Sequence, residues 1–287
     1  MGLSVRFFPF EAFHGKRDVG SSKIRVHNLV ERWPEAELYK YGENPDVLIY
    51  QKVYVTDEFT FPEHFEGIQI LDICDPDWMQ IDVQIRRTVD AVDAVVCPTE
   101  AIKNFISQMT DKPVRVIKDR FDVSSFPGPK THQGKAKKAV WFGYAHNADL
   151  LQDALNGLKS RDMELTIISD VDPMIYPYAD DDYTERIHWK PYYNQTILEN
   201  LQEHDICVLP AGMRPQDHFK SENKDMIARL CGLPVAKTGE DLDSLVEAED
   251  RNSSVRSWHQ YVREEYDVAK SVHEYQQLIG ELYEQTN

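Results

Sequence analysis

The most constraining feature of the sequence is the alternation of short apolar runs with longer stretches of helical periodicity. Runs rich in β-branched residues predict strands, and the intervening stretches, with apolar residues three or four apart, predict helices. In the first half, strands are predicted at Leu3–Phe8, Asp46–Tyr50, Ile68–Ile73, Ala94–Cys97 and Val114–Ile117, and helices at Ser22–Arg32, Met79–Asp90 and Glu100–Met109. This alternation is typical of βαβ units and predicts an α/β protein with parallel sheets.

The alternation is interrupted once and then resumes. The stretch 124–138, SSFPGPKTHQGKAKK, holds two prolines, two glycines and four lysines, and predicts a solvated linker that adds little to either core. Strands are predicted again at Ala139–Phe142, Glu164–Ile168, Ile206–Leu209 and Pro234–Ala236, with helices at Ala148–Lys159, Thr196–Glu203 and Lys220–Cys231 and two more between Ser253 and Tyr283. The sequence therefore predicts a first domain at 1–125, a linker at 126–138, a second domain at 139–265 and a last helix at 266–287.

Charge and composition narrow the function. The chain of 287 residues has 32 Lys plus Arg against 49 Asp plus Glu, a net charge of −17, which disfavours a polyanionic partner such as nucleic acid. No run approaches the roughly 18 apolar residues of a membrane helix, and the N-terminus shows no signal-peptide pattern, so we predict a cytoplasmic protein without an integral membrane segment. The four cysteines lie far apart in apolar segments and predict buried, reduced thiols.

A glycine-containing loop, GKRDVGSS, follows the first predicted strand and opens the first predicted helix. Free backbone amides and the helix dipole at such a position favour an anion, so Gly20 and Ser21 are candidate phosphate or sugar contacts. The loop matches neither the dinucleotide nor the P-loop fingerprint. The alternative is a simple glycine turn with Ser21 or Ser22 as the helix N-cap.

Three carboxylates follow the strand in the segment ILDICDPDW. Asp72, Asp75 and Asp77 stand at or beyond the carboxyl end of a parallel strand, the edge at which open α/β sheets bind ligands. Asp75 is the best placed to act as a base, hold a sugar hydroxyl or stabilise positive charge at an anomeric carbon. The alternative is that Asp75 and Asp77 form the turn around Pro76 and cap the next helix.

The segment 205–237 carries the strongest chemical signal. A strand is followed by a polar loop with Arg214, and then Lys220-Ser221-x-Asn223-Lys224 opens the predicted helix. Residues four apart share a helix face, so the two lysines are expected side by side. Two ammonium groups, a hydroxyl and an amide at a helix N-terminus predict a diphosphate site that needs no metal. The alternative is an ordinary solvated helix start.

These segments resemble a known family. KSENKDMIARLCGLPVAKTG is similar to the donor-binding helix of GT-B nucleotide-sugar glycosyltransferases of the retaining bacterial and viral type, which have K-S-x-x-K, a helix and G-x-P-V. GSSKIRVHNLVE, DAVVCPTEAIKNFI, VRVIKDRFDVSSF, AVWFGYAHN and DICVLP resemble other family segments in the expected order. The resemblance implies two Rossmann-like domains that face one another across a cleft, with the C-terminal helices crossing back to the first domain.

The resemblance also implies roles. Lys220, Ser221, Asn223 and Lys224, with Arg214, would bind the donor diphosphate and stabilise it as a leaving group, without a metal or other cofactor. Gly143, Tyr144 and Asn147 would line the donor, Gly20 and Ser21 would approach its phosphate or sugar, and Asp75 would act at the reacting carbon. The chain departs from the pattern at two positions, with Phe219 and Ile227 where family members carry glutamate.

The expected activity is transfer of a hexosyl or pentosyl group from a nucleoside diphosphate sugar to a hydroxyl acceptor. A carbohydrate or other small acceptor is favoured over a hydroxymethylated base in DNA, although Lys16, Arg17, Lys23, Arg25 and Lys52 could form a basic surface that attracts a duplex. The alternatives are a non-catalytic binding module with a degenerate GT-B fold, and a sugar-phosphate enzyme of similar build, such as an epimerase.

Overall fold

A computed structural model describes residues 2–16, 19–79, 83–173, 175, 179 and 181–286. The chain divides into two compact units. The first consists of Met1–Asp122, Arg214–Ser221 and Tyr266–Asn287, and the second of Val123–Met213 and Glu222–Glu265. The domain limits predicted from the sequence stay predictions, because a compact unit is not by itself an independently folding domain.

The first unit is built on a six-stranded parallel sheet with the strand order β2-β1-β3-β4-β5-β6. The strands are β1 (Val5–Pro9), β2 (Ala36–Leu38), β3 (Val47–Gln51), β4 (Ile68–Asp72), β5 (Ala94–Cys97) and β6 (Val114–Val116). Every residue of β3, β4 and β5 is buried, as expected for central parallel strands covered on both faces. The five strands predicted in this half are confirmed.

The helices of the first unit follow the same alternation. They are α1 (Phe10–His14), α2 (Gly20–Ser22), α3 (Asn28–Arg32), α4 (Ile85–Ala91) and α5 (Glu100–Ile106), and a π-helical turn, Lys23–His27, joins α2 to α3. The helix predicted at Met79–Asp90 is shorter in the structure, and its residues 80–82 lie outside the described part of the chain. Thr99 caps α5, because its hydroxyl oxygen accepts a hydrogen bond from the Ile102 amide at 3.3 Å.

The second unit has a five-stranded parallel sheet with the order β11-β10-β7-β8-β9. Its strands are β7 (Lys138–Phe142), β8 (Glu164–Ser169), β9 (Ile187–Pro191), β10 (Ile206–Val208) and β11 (Val235–Ala236). Its helices are α6 (Gln152–Ser160), α7 (Asp181–Thr184), α8 (Ile197–Gln202), α9 (Asn223–Leu230), α10 (Gly239–Ser244) and α11 (Ala248–Glu265). The strands predicted in this half are confirmed.

The last helix, α12 (Val268–Thr286), belongs to the first unit. Its apolar face, with Val272, Tyr275 and Ile279, packs into the core formed by β1, β3 and β4. Phe121 fixes the approach of the chain, because its amide donates to the Tyr266 carbonyl at 2.9 Å. The predicted return of the C-terminus to the first domain is thus seen for α12, whereas α11 belongs to the second unit.

Most residues of the segment 126–138 are exposed, as its composition predicts, but two of them are buried. His132 and Ala136 are buried, and Ala136 belongs to the core of the second unit. Lys130 donates to the carbonyls of Gln202 and His204. These two positions can be buried because the His132 and Ala136 amides donate to Asn252 and to the Val246 carbonyl of the second unit, which a count of apolar residues does not reveal.

Candidate functional site

Asp72, at the end of β4, is a buried structural carboxylate. Arg25 Nε lies 3.1 Å from each of its oxygens, and the Tyr275 hydroxyl donates to Oδ2 at 2.7 Å. Arg25 also donates to Asp119 at 3.2 Å. This network joins the π-helical turn, β4 and α12, so Asp72 holds the first unit together.

Asp75 lies just beyond β4 and is held by Lys52, which directly follows β3. Lys52 Nζ lies 2.8 Å from Asp75 Oδ2 and 3.0 Å from Asp77 Oδ1. The Asp75 side chain is 41% exposed, against 9% for Asp77, whose other oxygen accepts a hydrogen bond from the Tyr54 hydroxyl at 2.7 Å. Asp75 therefore has a fixed carboxylate that solvent and a ligand can reach.

The sequence predicted Lys52 only as part of a basic surface, and its contact with Asp75 was not predicted. Its backbone is left-handed, with a φ of 53°, a conformation that a non-glycine residue rarely adopts. Burial alone would lower the pKa of Lys52, but neighbouring Cys74, Asp75 and Asp77 raise it well above the ordinary value, so the ammonium group stays charged. A basic residue directly after a buried parallel strand was the available signal.

His14, at the end of α1, is a second group that the sequence did not single out. Its ring packs against Phe10 with the ring centroids 4.3 Å apart, and Lys52 Nζ lies 5.4 Å from the Phe10 ring centroid. Partial burial and the charges of Lys16 and Lys52 lower the pKa of His14, so its imidazole is neutral at pH 7. The edge that carries Asp75 thus also offers a neutral base.

Gly20 and Ser21 lie in α2, which follows the first strand as predicted. Val19 occupies the N-cap position of α2, and Ser22, which precedes the π-helical turn, makes no capping hydrogen bond with its side chain. Instead Gln51, at the end of β3, accepts from the Ser22 hydroxyl at 3.0 Å and donates to the Ser21 oxygen at 3.4 Å. A Cβ atom added at Gly20 would meet no atom of the described residues within 4 Å, so this position faces open space.

The segment Arg214–Ser221 is anchored in the first unit. Phe219 packs edge-on against Trp78 and Phe105, at centroid distances of 5.5 and 6.1 Å, and its carbonyl accepts a hydrogen bond from the Thr99 hydroxyl at 3.1 Å. The Ser221 hydroxyl donates to Asp119. Phe219 is therefore an apolar anchor of this segment in the first unit.

Arg214 and Lys220 share one carboxylate, that of Asp217. Lys220 Nζ lies 2.7 Å from Asp217 Oδ1, and Arg214 Nε lies 3.0 Å from Oδ2. The expectation that Lys220 and Lys224 lie on one helix face is wrong, because the Lys220 backbone is extended (φ −68°, ψ 143°) and α9 begins only at Asn223. The 3-10 turn at Pro215–Phe219 ends at Lys220 and prevents an earlier helix start.

In the second unit, the loop after β7 meets the first turn of α9. A Cβ atom added at Gly143 would lie 2.8 Å from Lys224 Nζ and 3.1 Å from the Trp141 ring, and Gly143 has a φ of +153°. Lys224 Nζ lies 5.2 Å from the centroid of the buried Trp141 ring. Two predicted donor residues, 81 positions apart (224 − 143), are therefore brought together at the carboxyl end of the sheet.

The other predicted residues of this unit lie beside that pair in the chain. Tyr144 is 50% exposed, and its ring stacks on His146 at a centroid distance of 5.8 Å. The Asn147 backbone N–H donates to the Tyr144 carbonyl at 2.9 Å. The Asp170 carboxylate accepts from the Ala145 amide at 2.8 Å and ties this loop to the loop after β8. Asn223 is the first residue of α9.

No protein-family model matches the chain, and no curated protein matches it. Solved structures do. AviGT4, a glycosyltransferase involved in avilamycin A biosynthesis, is similar with a TM-score of 0.61 and 12% identity, over 98% of each chain. An α-glucosyltransferase in complex with UDP-glucose and DNA containing an abasic site gives a TM-score of 0.62 and 10% identity, over 83% of this chain and 81% of that one.

The protein has the GT-B glycosyltransferase fold. TarM is a third similar GT-B structure, with a TM-score of 0.60 and 11% identity over 81% of this chain, which spans about half (54%) of TarM. At these identities the likeness establishes the fold, and the predicted GT-B class is confirmed. The K-S-x-x-K helix as donor site and the retaining type stay predictions.

Three further findings concern metal binding, membrane helices and the basic surface predicted from the sequence. Within the described residues, no group of three or more His, Cys, Asp or Glu side chains is placed to hold a metal ion. The same part of the chain has no helix long and apolar enough to cross a membrane. The prediction that Arg25 contributes to a basic surface is wrong, because Arg25 is only 2% exposed. Arg17 lies outside the described residues.

Proposed function

We propose that the protein is a glycosyltransferase that moves a sugar from a nucleoside diphosphate sugar to a hydroxyl group of an acceptor. The proposal is supported by the fold shared with GT-B enzymes, one of which was solved with UDP-glucose. It is supported further by the chemically suitable residues that each unit carries at the carboxyl ends of its own parallel strands, the edge at which α/β sheets bind ligands.

The observation that carries the proposal is the approach of Lys224 to Gly143. The absence of a side chain at Gly143 lets the Lys224 ammonium group lie against the backbone of the β7 loop. A cation beside the partly buried Gly143, at the start of the eight-residue helix α9, suits a phosphate. Lys224 would thus hold the donor diphosphate and stabilise the negative charge that develops when the glycosidic bond breaks.

The remaining donor residues are assigned by the same chemistry. Lys220, with Arg214, is proposed to contribute charge to the diphosphate, and Ser221 and Asn223 to contribute hydrogen bonds. Tyr144 and Asn147 are proposed to line the donor, and Gly20 and Ser21 to approach its sugar or phosphate. This set stabilises the leaving group by charge and by backbone amides, and we propose that transfer needs no metal.

Asp75 is proposed to act at the reacting carbon. Its carboxylate is partly exposed, while Asp72 and Asp77 are buried in contacts with their own neighbours. A retaining transfer would use this carboxylate to stabilise positive charge at the anomeric carbon, and an inverting transfer would use it as the base for the acceptor hydroxyl. We propose a retaining hexosyl or pentosyl transfer.

The proposed acceptor is a carbohydrate or another small hydroxyl compound. The α-glucosyltransferase neighbour was solved with DNA, so a duplex acceptor has a precedent in the fold. In this chain, however, Arg25 is buried, Lys23 pairs with Glu31 at 3.1 Å and Lys52 pairs with two carboxylates. These pairs leave less positive charge for phosphate groups of DNA.

A second candidate function is a binding module that recognises a nucleotide or sugar phosphate without turnover. It is favoured by Phe219, which packs among aromatic rings, and by Ile227, which packs against the apolar core of the second unit. Both residues replace glutamates that the resembling family uses toward the donor. Binding of a nucleotide sugar without any hydrolysis or transfer would support this candidate.

The proposal is tested with purified protein and a thermal-shift screen of UDP, GDP, ADP and dTDP, followed by calorimetric titration of those that stabilise it. A ligand that binds only the folded state raises the apparent stability by mass action. Lys224→Ala is expected to weaken binding by about 1.5–3 kcal/mol, the range for hydrogen bonds to charged groups. Lys190→Ala is the control, since Lys190 pairs with Glu203 on an exposed surface. Equal affinity of both variants would contradict the proposed site.

A further inference from the structure

The Arg214–Ser221 segment is held firmly at its C-terminal side. Phe219 is fixed by Trp78 and Phe105, and the Ser221 hydroxyl is bound to the buried Asp119. Burial raises the pKa of Asp119, but the nearby Arg25 and the Ser221 hydrogen bond oppose this. Lys220 stands between these two anchors, so its backbone has a defined position.

Asp217 neutralises much of the charge that this segment offers to an anion. Its side chain is only 6% exposed, and it lies between two cations that are themselves partly exposed, Arg214 at 28% and Lys220 at 35%. Its Oδ2 also accepts a hydrogen bond from the Arg214 backbone amide at 3.1 Å. The Asp217 carboxylate therefore accepts hydrogen bonds from N–H groups of Arg214 and Lys220 that could otherwise bind a phosphate.

The Asp217 carboxylate is ionised at neutral pH, where a nucleoside diphosphate is also ionised. Burial alone would raise the pKa of Asp217, but the hydrogen bonds from Arg214 and Lys220 lower it to about 2. Protonation therefore does not release the two cations at neutral pH. A phosphate that binds them must compete with a permanent internal anion.

We propose that Asp217 competes with the donor phosphate for Arg214 and Lys220 and thereby limits the affinity for nucleoside diphosphates. This inference rests on the proposed function, in which both cations bind the diphosphate. A diphosphate is also the leaving product of the transfer, and product release limits the turnover of many enzymes. A carboxylate that rebinds the cations lowers the affinity for this product and so favours its release.

The test is titration calorimetry of the full chain with UDP, GDP, ADP and dTDP at fixed ionic strength, comparing wild type with Asp217→Asn. Asparagine keeps an oxygen that can accept from the Arg214 amide but removes the competing charge. The expected result is binding about tenfold tighter for the diphosphate that the wild type binds best, and for inorganic pyrophosphate, with no change for the free nucleoside.

Asp243→Asn is the matched control. Asp243 also pairs with an arginine, Arg161, but its side chain is 70% exposed, so the variant makes the same change in net charge elsewhere. Its affinity is expected to equal that of wild type. If it binds as tightly as Asp217→Asn, the gain comes from overall charge and the inference is overturned.

A double-mutant cycle separates competition from loop disruption. In a Lys220→Met background, Asp217→Asn is expected to lose most of its gain, because one of the two contested cations is gone. Unchanged or weaker binding in Asp217→Asn overturns the inference while leaving the proposed function intact. Absence of nucleoside diphosphate and pyrophosphate binding by the wild type overturns both. Asp217→Ser serves as the second variant if the asparagine protein is unstable.

Discussion

The Lys52 ammonium group lies 2.8 Å from the Asp75 carboxylate, and Lys52 reaches it from a left-handed backbone with a φ of 53°. Such a conformation costs a non-glycine residue about 1 kcal/mol or more of conformational free energy. Backbone strain of this kind is concentrated at active sites and ligand-binding sites. The two residues follow adjacent strands, β3 and β4, which pair in parallel. Lys52 is therefore suited to fix Asp75 in one orientation.

We predict that Lys52→Met lowers turnover of the nucleotide sugar by about tenfold or more at saturating donor, because Asp75 loses the contact that orients it. The KM for the donor should change little, since donor binding is assigned to other residues. Lys52→Arg should restore part of the turnover and shift the pH profile less than methionine does. Full turnover in the methionine variant would show that Asp75 does not need this contact.

The three carboxylates after β4 should separate into different roles. Asp75→Asn is expected to abolish most turnover at saturating donor while leaving the melting temperature nearly unchanged, because the side chain is 41% exposed. Asp72→Asn is expected to destabilise the protein by about 3 kcal/mol, the lower end of the range for a broken buried ion pair, because the buried Arg25 loses Asp72 but keeps Asp119 as a partner. Wild-type turnover in Asp75→Asn would assign Asp75 to the turn alone.

Two glycines give a matched pair of substitutions. Gly143→Ala is expected to weaken nucleoside diphosphate binding, because its Cβ would lie 2.8 Å from Lys224 Nζ in a conformation that disfavours a side chain. Gly20→Ala meets no described atom within 4 Å, so stability should be kept or rise by about 0.4–1 kcal/mol. Weaker donor binding in a stable Gly20→Ala protein would support contact of Gly20 with the donor, and equal binding in Gly143→Ala would refute the contact at Lys224.

The sequence pattern was sufficient to predict the buried strands of both sheets, because central parallel strands are continuous apolar runs. It failed at β2 and β9, which are edge strands. In β9 only Ile187 is buried, and β2 has two exposed residues among three. These two edge strands have too few buried apolar residues to be recognised, whereas the other two edge strands, β6 and β11, contain valine and were predicted.

The candidate site shows a similar limit. Gly143 and Lys224 were predicted separately from local motifs, but nothing in the sequence states that their atoms meet. The error at Lys220 came from extending α9 backward by periodicity, whereas the anchors of Phe219 and Ser221 are long-range contacts with Trp78 and Asp119. The contact of Lys52 with Asp75 was not predicted, because it depends on which strand lies beside β3. Contacts between distant segments therefore decide what the local pattern leaves open.

The stability of the second unit should fall in mild acid. Burial lowers the pKa values of His132 and His204 below the ordinary 6.5, so the folded protein holds both rings neutral while the unfolded chain takes up protons. The free energy of unfolding should therefore decrease as the pH falls below about 6.5. The variant with His132→Gln and His204→Gln should lose less stability between pH 7.5 and 5.5, measured by urea denaturation.

Exposed His64→Gln is the control for that experiment, and its pH dependence should match the wild type. A double variant with the same acid sensitivity as wild type would show that other groups control the transition.

The acceptor is tested through the salt dependence of duplex binding. If DNA were the acceptor, log–log plots of affinity against salt would fall with a slope of about −0.9 for each phosphate neutralised. Three basic residues of the predicted surface already pair with carboxylates: Lys23 with Glu31, Arg25 with Asp72 and Lys52 with Asp75. The net charge of the chain is −17. We therefore predict weak binding of a hydroxymethylated duplex and a shallow slope in fluorescence anisotropy between about 50 and 200 mM salt.

A control for this measurement is charge reversal at the exposed Glu31, because Glu31→Lys adds a cation beside Lys23 and should steepen the slope if the duplex meets that surface. A small carbohydrate acceptor should instead stimulate release of the nucleoside diphosphate from the donor without any such slope. Tight duplex binding by the wild type with a slope corresponding to several phosphates would reverse the proposed preference, because the mean field of the protein opposes a polyanion unless specific contacts overcome it.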